Sequence, residues 1–335
     1  MMHLKRITLP AGFAALAISQ AAARPAAPVP VARNGEKPRN VIFILSDDHR
    51  YDFMGFTGAV PWLQTPALDR MAREGACLKN AFVTTSLSSP SRASILTGLF
   101  THTHTVVDNQ APKPDDLVFF PQYLQQNGYR TAFFGKWHMG NQDDMPQPGF
   151  DHWEGFRGQG TYYNTVLNIN GERVKFDPEL YSTDILTDHA IDFVRDNEEG
   201  PFFIYLSYKS VHSGFQPSPS RKGMYKDEKA VYPPSFNVPE YGIPRLPSKD
   251  ADGRPLAGRG WYGESRLPDW VKNQRESWHG VDYQYHGALP YEEDFRNYCE
   301  TVTSMDDAIG RLLDFLQAEG LGESTLVIYM GDNGF

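Results

Sequence analysis

Four short apolar runs constrain the fold of this chain most, because each has the composition of a strand, and the first and third have that of a buried strand. The runs are NVIFILS, TAFFG, FFIYLS and TLVIYM, which begin at residues 40, 131, 202 and 325. Continuous stretches of β-branched and aromatic residues are typical of parallel strands that are covered on both faces. They predict an α/β protein with a mostly parallel sheet.

Helical segments alternate with these runs and predict a doubly wound arrangement, with helices on both faces of the sheet. Thr65 and Pro66 begin one helix, and Gly75 ends it. Three more helices are predicted in FPQYLQQNG, YSTDILTDHAIDFVRDN and the amphipathic stretch 291–320. A further strand is predicted in ACLKNAFVT, at residues 76–84.

The N-terminus has the pattern of an export signal. Basic MMHLKR is followed by apolar ITLPAGFAALAIS and by Ala21, Ala22 and Ala23 as small residues for cleavage. We interpret residues 1–23 as a signal peptide and 24–39, rich in Pro and Ala, as a disordered linker. The mature protein is then expected to be periplasmic or secreted and free of the membrane.

Charge and cysteine content narrow the functional classes. The 335 residues carry a net charge of −9, which argues against nucleic acid as a partner. A local group of cations can still bind an anionic substrate. The two cysteines, Cys77 and Cys299, are far apart in the sequence, and we expect both to be buried and unpaired.

Acidic and amide residues follow the first and last of the four runs. Asp47 and Asp48 come after the first, and Asp332 and Asn333 come after the last. Ligands of open α/β sheets bind at the carboxyl ends of the strands. Oxygen ligands of this kind suit a hard divalent cation, Ca²⁺ or Mg²⁺. Each pair alone is also compatible with a helix cap or a solvated turn.

The stretch SLSSPSRASILTG places Ser88 at the start of a predicted helix that Gly98 ends, with Pro90 in the first turn. Helix N-termini favour anions. Arg92 lies one turn further along the same face, close enough to hold a group at Ser88. From the residues alone, an ordinary N-cap with a surface arginine is the favoured explanation of this stretch, because Ser-Pro helix starts are common.

A resemblance to the sulfatase family decides between these interpretations. SSPSRASILTG resembles the family signature, in which the first residue, here Ser88, is oxidised to formylglycine. Five other stretches resemble family blocks in the same order: NVIFILSDDHRYD, TPALDRMAREGACLKNAFV, GYRTAFFGKWHMG, PFFIYLSYKSVH and TLVIYMGDNGF. The resemblance covers nearly the whole chain after the leader.

The resemblance implies a role for each candidate residue. Ca²⁺, with Mg²⁺ as the less favoured ion, would be bound by Asp47, Asp48, Asp332, Asn333 and an oxygen of residue 88. Arg92 would steady the residue-88 oxygens. Lys136, His138 and His212 would contact the sulfate and transfer protons, and either histidine is a candidate donor to the leaving oxygen. Lys209, His102 and His104 are weaker candidates.

The resemblance also implies a fold and a substrate. Residues 40–335 would form the N-terminal catalytic domain of an alkaline phosphatase-like and sulfatase-like fold, with a loop-rich insertion at about 213–290. GFDHWEGFRGQGTYYN and YSTDILTDHAIDFV look closest to glucosamine-6-sulfatase-like and polysaccharide sulfatases, so a sulfated carbohydrate is the expected substrate. A formylglycine-generating maturation enzyme is an implied partner.

Two features depart from the family pattern. Family members continue past the position of Phe335 through another lysine and a small C-terminal subdomain, so the C-terminal part is expected to be missing and the last strand to be an exposed sheet edge. The modified position holds serine, which depends on its oxidising enzyme. Two alternatives therefore remain. One is a phosphate monoester or diester hydrolase of the same superfamily that uses unmodified Ser88, and the other is an inactive, metal-stabilised remnant that binds carbohydrate.

Overall fold

The computed structural model describes residues 38–140, 143–197, 200–232 and 291–334. The proposed signal peptide, most of the proposed linker and the larger part of the 213–290 insertion lie outside the described residues. Strands are β1 Asn40–Ser46, β2 Arg130–Lys136, β3 His152–Phe156, β4 Val166–Ile169, β5 Glu172–Lys175, β6 Phe202–Ser207 and β7 Thr325–Gly331. Helices are α1 Pro66–Glu74, α2 Ser88–Thr97, α3 Thr101–His104, α4 Phe120–Gln126, α5 Ser182–Arg195 and α6 Tyr291–Ala318.

The seven strands form one sheet in the order β5-β4-β3-β2-β6-β1-β7. The strands β3, β2, β6, β1 and β7 are parallel to their neighbours in this order. Strands β4 and β5 are antiparallel additions at one edge. The mostly parallel sheet predicted from the apolar runs is therefore confirmed. Strand β1 lies between β6 and β7, and this order brings the first and last of the four runs together although they are far apart in the sequence.

Side chains alternate between two cores, one on each face of the sheet. In β1, Ile42 and Ile44 pack with α1, α5 and α6, while Phe43 and Leu45 pack with α2 and α4. Both faces of the central strands are buried, as their uninterrupted apolar sequences require. Helices thus cover both faces, which confirms the doubly wound arrangement.

Residues 76–84 do not form the predicted strand, and the expectation for Cys77 was wrong. This segment is irregular, and its Leu78 and Phe82 side chains are 80% and 88% exposed. Strand β1 pairs with β6 on one side and with β7 on the other, so no further strand can pair with it. The segment instead runs over the surface to the start of α2. Cys77 is therefore exposed, whereas Cys299 is buried in α6 and both are unpaired.

Strand β7 lies at one edge of the described sheet, as expected. It pairs with β1 on one side, and the side chains of Leu326 and Ile328 are 50% and 37% exposed. No helix in the described part of the chain is both long and apolar enough to cross a membrane.

Candidate active site

The carboxyl ends of four neighbouring strands, β2, β6, β1 and β7, bring the candidate residues together. The parallel register aligns these ends, so that Ser46 of β1 lies beside Gly331 of β7 and Leu45 lies beside Ser207 of β6. The polar residues that follow each strand converge at this edge, and most of them are buried despite their charge. They are Asp47, Asp48, Lys136, His138, Lys209 and Asp332, all less than 9% exposed, with His212 and Asn333 partly buried beside them.

Ser88 is the first residue of α2 and faces this cluster. Its Oγ donates to Oδ1 of Asp47 at 3.4 Å and lies 3.5 Å from the Nζ of Lys136, which donates to it. The neighbouring Ser89 fixes the start of the helix, because its backbone N–H donates to Asn109 at 2.9 Å and its hydroxyl donates to the carbonyl of His138. The hydroxyl of Ser88 is thus held between a carboxylate and an ammonium group.

Arg92 lies one turn along α2 and is 1% exposed. Its guanidinium donates to Oδ2 of Asp332 from Nε at 3.1 Å and from Nη2 at 2.9 Å, and it reaches Oδ1 of Asp47 at 3.4 Å. Nη1 donates to the carbonyl of Lys136 at 2.9 Å and to Oγ of Ser207 at 2.7 Å. Arg92 and Ser88 therefore share one carboxylate oxygen of Asp47, and Arg92 connects α2 to the carboxyl ends of four strands.

Three carboxylates form the acidic half of the cluster. One oxygen from each of Asp47, Asp48 and Asp332 lies within 4.8 Å of the others. Asn333 donates from Nδ2 to Asp48 at 2.6 Å, while its own Oδ1 is buried and accepts no hydrogen bond. Backbone N–H groups of Asp48 and Asn333 donate to Oδ1 of Asp332 at 3.0 and 2.8 Å.

The charges of the cluster separate the pKa values of these carboxyls. Burial raises the pKa of Asp48 to about 7 and that of Asp332 to about 6, and the negative charge of Asp47 adds to both shifts. Burial also acts to raise the pKa of Asp47. There, the charges of Lys136, His212 and Arg92 outweigh it and hold the pKa well below its usual range. Asp47 is neutralised by cations, and the other two carboxyls lack enough positive charge.

A divalent cation fits this donor set. Carboxylate and amide oxygens are the ligands of Ca²⁺ and Mg²⁺, and the buried Oδ1 of Asn333 is an acceptor without a donor. A cation would also remove the like-charge repulsion that raises the pKa of Asp48 and Asp332. Asp47, Asp48, Asp332 and Asn333, the residues expected from the sequence, are the ones that the fold brings together.

Two histidines border the cluster in different environments. His138 is 2% exposed, and burial followed by the charges of Lys136 and Arg92 lowers its pKa to about 2. The side chain of His212 is 13% exposed, its Nε2 lies 3.6 Å from Oδ2 of Asp48, and burial lowers its pKa to about 4. Both rings are neutral near neutral pH, and His212 is the more accessible of the two.

Sequence reasoning missed Gln159, which lies in the loop after β3. Its Oε1 accepts from Nζ of Lys136 at 2.5 Å, and its Nε2 lies 3.4 Å from Nε2 of His138. Because the oxygen must face the ammonium group, the amide N–H faces His138, whose Nε2 is then the acceptor. The sequence HWEGF lacks the continuous apolar run of the other central strands, so no strand, and no site at its carboxyl end, was predicted there.

The three weaker candidates lie beside the cluster, in the core and on the surface. Lys209 is 7% exposed, its Nζ lies 4.9 Å from the ring centre of Tyr162, and burial lowers its pKa to about 8. His104 in α3 is buried and bonded to Ser94 at 3.0 Å and to the backbone of Val106, which makes it structural. The ring of His102 stacks on Phe100, away from the cluster.

Residues 39–335 match the family model described as Sulfatase. The chain is 32% identical over 336 residues to an N-acetylglucosamine-6-O-sulfatase of Bacteroides thetaiotaomicron, a match that covers 89% of this chain and 58% of the relative. It thus spans little more than half the length of that relative.

Solved structures agree with this similarity. One is described as a complex with its substrate D-glucosamine-2-N,6-O-disulfate. It superposes with a TM-score of 0.69 at 29% identity and covers 89% of this chain and 66% of that chain. Another is described as a complex with a neocarrahexaose, and it superposes with a TM-score of 0.63 at 25% identity, covering 89% of this chain and 59% of that chain.

Proposed function

The chain belongs to the sulfatase family, and on this premise we propose that its buried cluster hydrolyses a sulfate ester on a carbohydrate, with residue 88 as the nucleophile. One observation carries the proposal. The Ser88 oxygen lies at a helix N-terminus within 3.5 Å of both Asp47 and Lys136, and Asp47 is held in turn by Arg92. A carboxylate that orients the nucleophile and cations that can stabilise the charge of a sulfuryl group thus surround one oxygen.

The nucleophile is proposed to be the formylglycine form of Ser88. A maturation enzyme removes two electrons and two protons from the serine side chain, which gives an aldehyde that adds water to form a diol. One hydroxyl attacks sulfur and the alcohol leaves. The second hydroxyl then loses its proton, and the aldehyde reforms as the bond between oxygen and sulfate breaks. Unmodified serine lacks this second hydroxyl and would remain as its sulfate ester.

The remaining residues of the cluster bind and orient. Asp47, Asp48, Asp332 and Asn333 would hold Ca²⁺, with an oxygen of residue 88, and Mg²⁺ is the less favoured ion. A bound divalent cation lowers the pKa of an oxygen nucleophile and polarises an anionic substrate. Lys136 donates to the residue-88 oxygen, and Arg92 fixes Asp47 and Asp332 in place.

His212 is proposed as the proton donor to the leaving oxygen. Its side chain is partly exposed, so a substrate can reach it, whereas His138 is 2% exposed and engaged by Gln159. A neutral imidazole can donate its N–H to an alkoxide that develops as the ester bond breaks. His138 is proposed to orient the cluster instead.

The substrate class and location extend the same proposal. Two similar proteins are described by names or bound ligands that involve 6-sulfated glucosamine, which supports a sulfated amino sugar as the substrate. The N-terminal pattern of residues 1–23 supports export to the periplasm or beyond, after which the chain would act free of the membrane.

Two measurements test the proposal. The mass of the peptide that carries residue 88, isolated from the native host, is expected to be two hydrogens below that of the serine form. Turnover of N-acetylglucosamine 6-sulfate and of the matching 6-phosphate is then compared, and the sulfate ester is expected to be preferred. Preference for the phosphate with unmodified Ser88 would instead establish the phosphatase alternative, and calcium-dependent stabilisation with no turnover of either would establish the binding remnant.

A further inference from the structure

A small cavity lies beside the loop that follows β3, the loop whose Gln159 contacts Lys136 of the candidate active site. It has a volume of about 260 Å³ and is lined by the loop that follows β3 and by parts of β4 and β5, including Phe156, Gly160 and Arg173. Ligand pockets for drug-sized molecules occupy about 300–1,000 Å³, so this cavity suits one substituent or one small ring.

The cavity is positively charged. Of the residues that line it in the described chain, Arg157 and Arg173 are cationic, and Asp144 is the one carboxylate. Arg173 donates to Asp144 from Nε at 2.9 Å and from Nη2 at 2.6 Å, and Arg157 forms an ion pair with it at 3.4 Å. The side chain of Asp144 is 4% exposed, so a buried carboxylate holds both guanidinium groups in place.

Unused donors remain on this surface. The side chains of Arg157 and Arg173 are 50% and 44% exposed, so the N–H groups not directed at Asp144 remain accessible. Thr165 also lines the cavity, and its hydroxyl is buried without a hydrogen-bond partner. Buried hydroxyls normally have a partner, so Thr165 carries an unused donor at the wall of the cavity.

The loop at 157–165 connects this cavity to the catalytic cluster. Lys136 and Phe156 are register partners at the ends of β2 and β3, and Gln159 accepts from Lys136. Further along the loop, the hydroxyl of Tyr162 donates to the carbonyl of His212 at 2.7 Å. One loop thus lines the cavity and also contacts two residues of the candidate active site.

We propose that this cavity binds a second anionic group of the substrate, a sulfate or a carboxylate, through Arg157, Arg173 and Thr165. The inference rests on the proposed sulfatase activity and deepens it. A substrate with two anionic groups would place one ester at residue 88 and its other anion between the two guanidinium groups. Arginine presents paired N–H donors that match the oxygens of such a group.

The test compares a substrate with one anionic group, N-acetylglucosamine 6-sulfate, and one with two, D-glucosamine-2-N,6-O-disulfate. Arg157→Gln is the main variant, because Arg173 still neutralises Asp144 in it. Loss of a hydrogen bond to a charged group is expected to lower kcat/KM for the disulfate about tenfold more than for the monosulfate. Arg157→Lys is expected to restore part of the difference, and Thr165→Val to show a smaller one.

Arg73→Gln is the matched control, because it removes the same charge from a side chain that is 67% exposed and paired only with Glu74 in the described contacts. Equal effects of Arg157→Gln on both substrates, or the same selectivity change in the control, would overturn the inference. If neither compound is hydrolysed, the proposed activity fails, and equilibrium titration with the disulfate decides the cavity separately. At constant ionic strength, tighter binding by the unaltered chain than by Arg157→Gln supports the cavity, and equal binding rejects it.

Discussion

Arg92 and Asp332 are joined by two hydrogen bonds to the same carboxylate oxygen, and both side chains are at most 1% exposed. This pair connects α2, which begins with the candidate nucleophile, to the end of β7, which supplies two candidate metal ligands. Asp332 also receives the backbone N–H groups of Asp48 and Asn333. One ion pair thus sets the position of Ser88 relative to the carboxylate cluster.

Arg92→Met is expected to lower the free energy of unfolding by about 3–5 kcal/mol, because it leaves Asp47 and Asp332 buried without their shared cation. Arg92→Lys keeps the charge but cannot reproduce the planar fork, so we expect an intermediate loss. Urea denaturation followed by circular dichroism measures both. Arg73→Met, which breaks an exposed pair, is expected to cost about 0–1 kcal/mol, and a loss equal to that of Arg92→Met would contradict the argument.

Asp48→Asn is expected to be more stable than the unaltered chain without Ca²⁺ and less stable with it. Without divalent ions the variant is predicted to be more stable than the unaltered chain, since it removes a carboxyl whose pKa is raised to about 7 by burial and by the charges of Asp47 and Asp332. With Ca²⁺ the order reverses, because a ligand is lost. At 100 times its dissociation constant a bound ion adds about 2.7 kcal/mol to the unaltered chain.

Thermal unfolding with a chelator, with Ca²⁺ and with Mg²⁺ checks this reversal. Asp52→Asn provides a control, because Asp52 pairs with Arg50 in the loop after β1 rather than joining the three clustered carboxylates. Stabilisation by Ca²⁺ that persists undiminished in Asp48→Asn would show that the ion binds elsewhere.

Strand runs and their polar ends made much of the fold predictable. NVIFILS and TLVIYM are rich in β-branched and aromatic residues, so their strand type follows from composition, and the parallel order then brings Asp47 and Asp332 together. The surface segment at 76–84 was not predictable, because CLKNAFV has strand composition while its side chains have no place left beside β1. Composition describes a segment, but pairing partners decide whether it joins a sheet.

Side-chain contacts between elements that are distant in the sequence could not be predicted. Ser88 and Arg92 could be placed on one helix face, but the four other groups that Arg92 bonds come from distant strands. Gln159 was not predicted as a site residue, because a glutamine in a glycine-rich loop matches no sequence motif of a functional site. Its role depends on the loop folding back onto Lys136.

Gln159→Leu is predicted to weaken catalysis with little loss of stability. Its amide joins Lys136 to His138, and leucine of similar size removes both contacts. We expect kcat to fall about tenfold or more while KM changes less, since the orientation of the ammonium group matters most as charge develops. Gln159→Glu adds a carboxylate beside Lys136 and is expected to shift the pH profile of kcat, which a purely structural role would not do.

Gln122→Leu is the control for this pair of variants, because Gln122 lies in α4 and its Oε1 accepts only the backbone N–H of Phe119 in the described contacts. Equal losses of kcat in Gln159→Leu and the control would assign Gln159 to general stability. Unfolding midpoints of all three variants show whether folding is intact.

Glu154 is expected to give the protein a stability maximum in mildly acidic solution. Its carboxylate, whose side chain is 5% exposed, contacts His152 at 2.8 Å and His189 at 2.5 Å. The hydrogen bond that His189 donates to Glu154 raises the pKa of His189, so its contribution is complete below pH 6.5 and is lost as the pH rises through the folded value. Burial acts to raise the pKa of Glu154, but the two histidines lower it overall, so its contribution is complete above pH 4.5 and is lost as the pH falls.

Glu154→Gln tests this window between pH 4.5 and pH 6.5. There the unaltered chain is expected to exceed the variant by about 1.5–3 kcal/mol in free energy of unfolding, the size of a hydrogen bond to a charged group, and the difference should shrink on either side. Urea denaturation at about pH 5.5 and about pH 8 measures it. Glu74→Gln is the control, because the arginine partners of Glu74 stay charged over this range. Its difference in free energy of unfolding from the unaltered chain should not depend on pH. A difference for Glu154→Gln that is equally independent of pH would refute the role of His189.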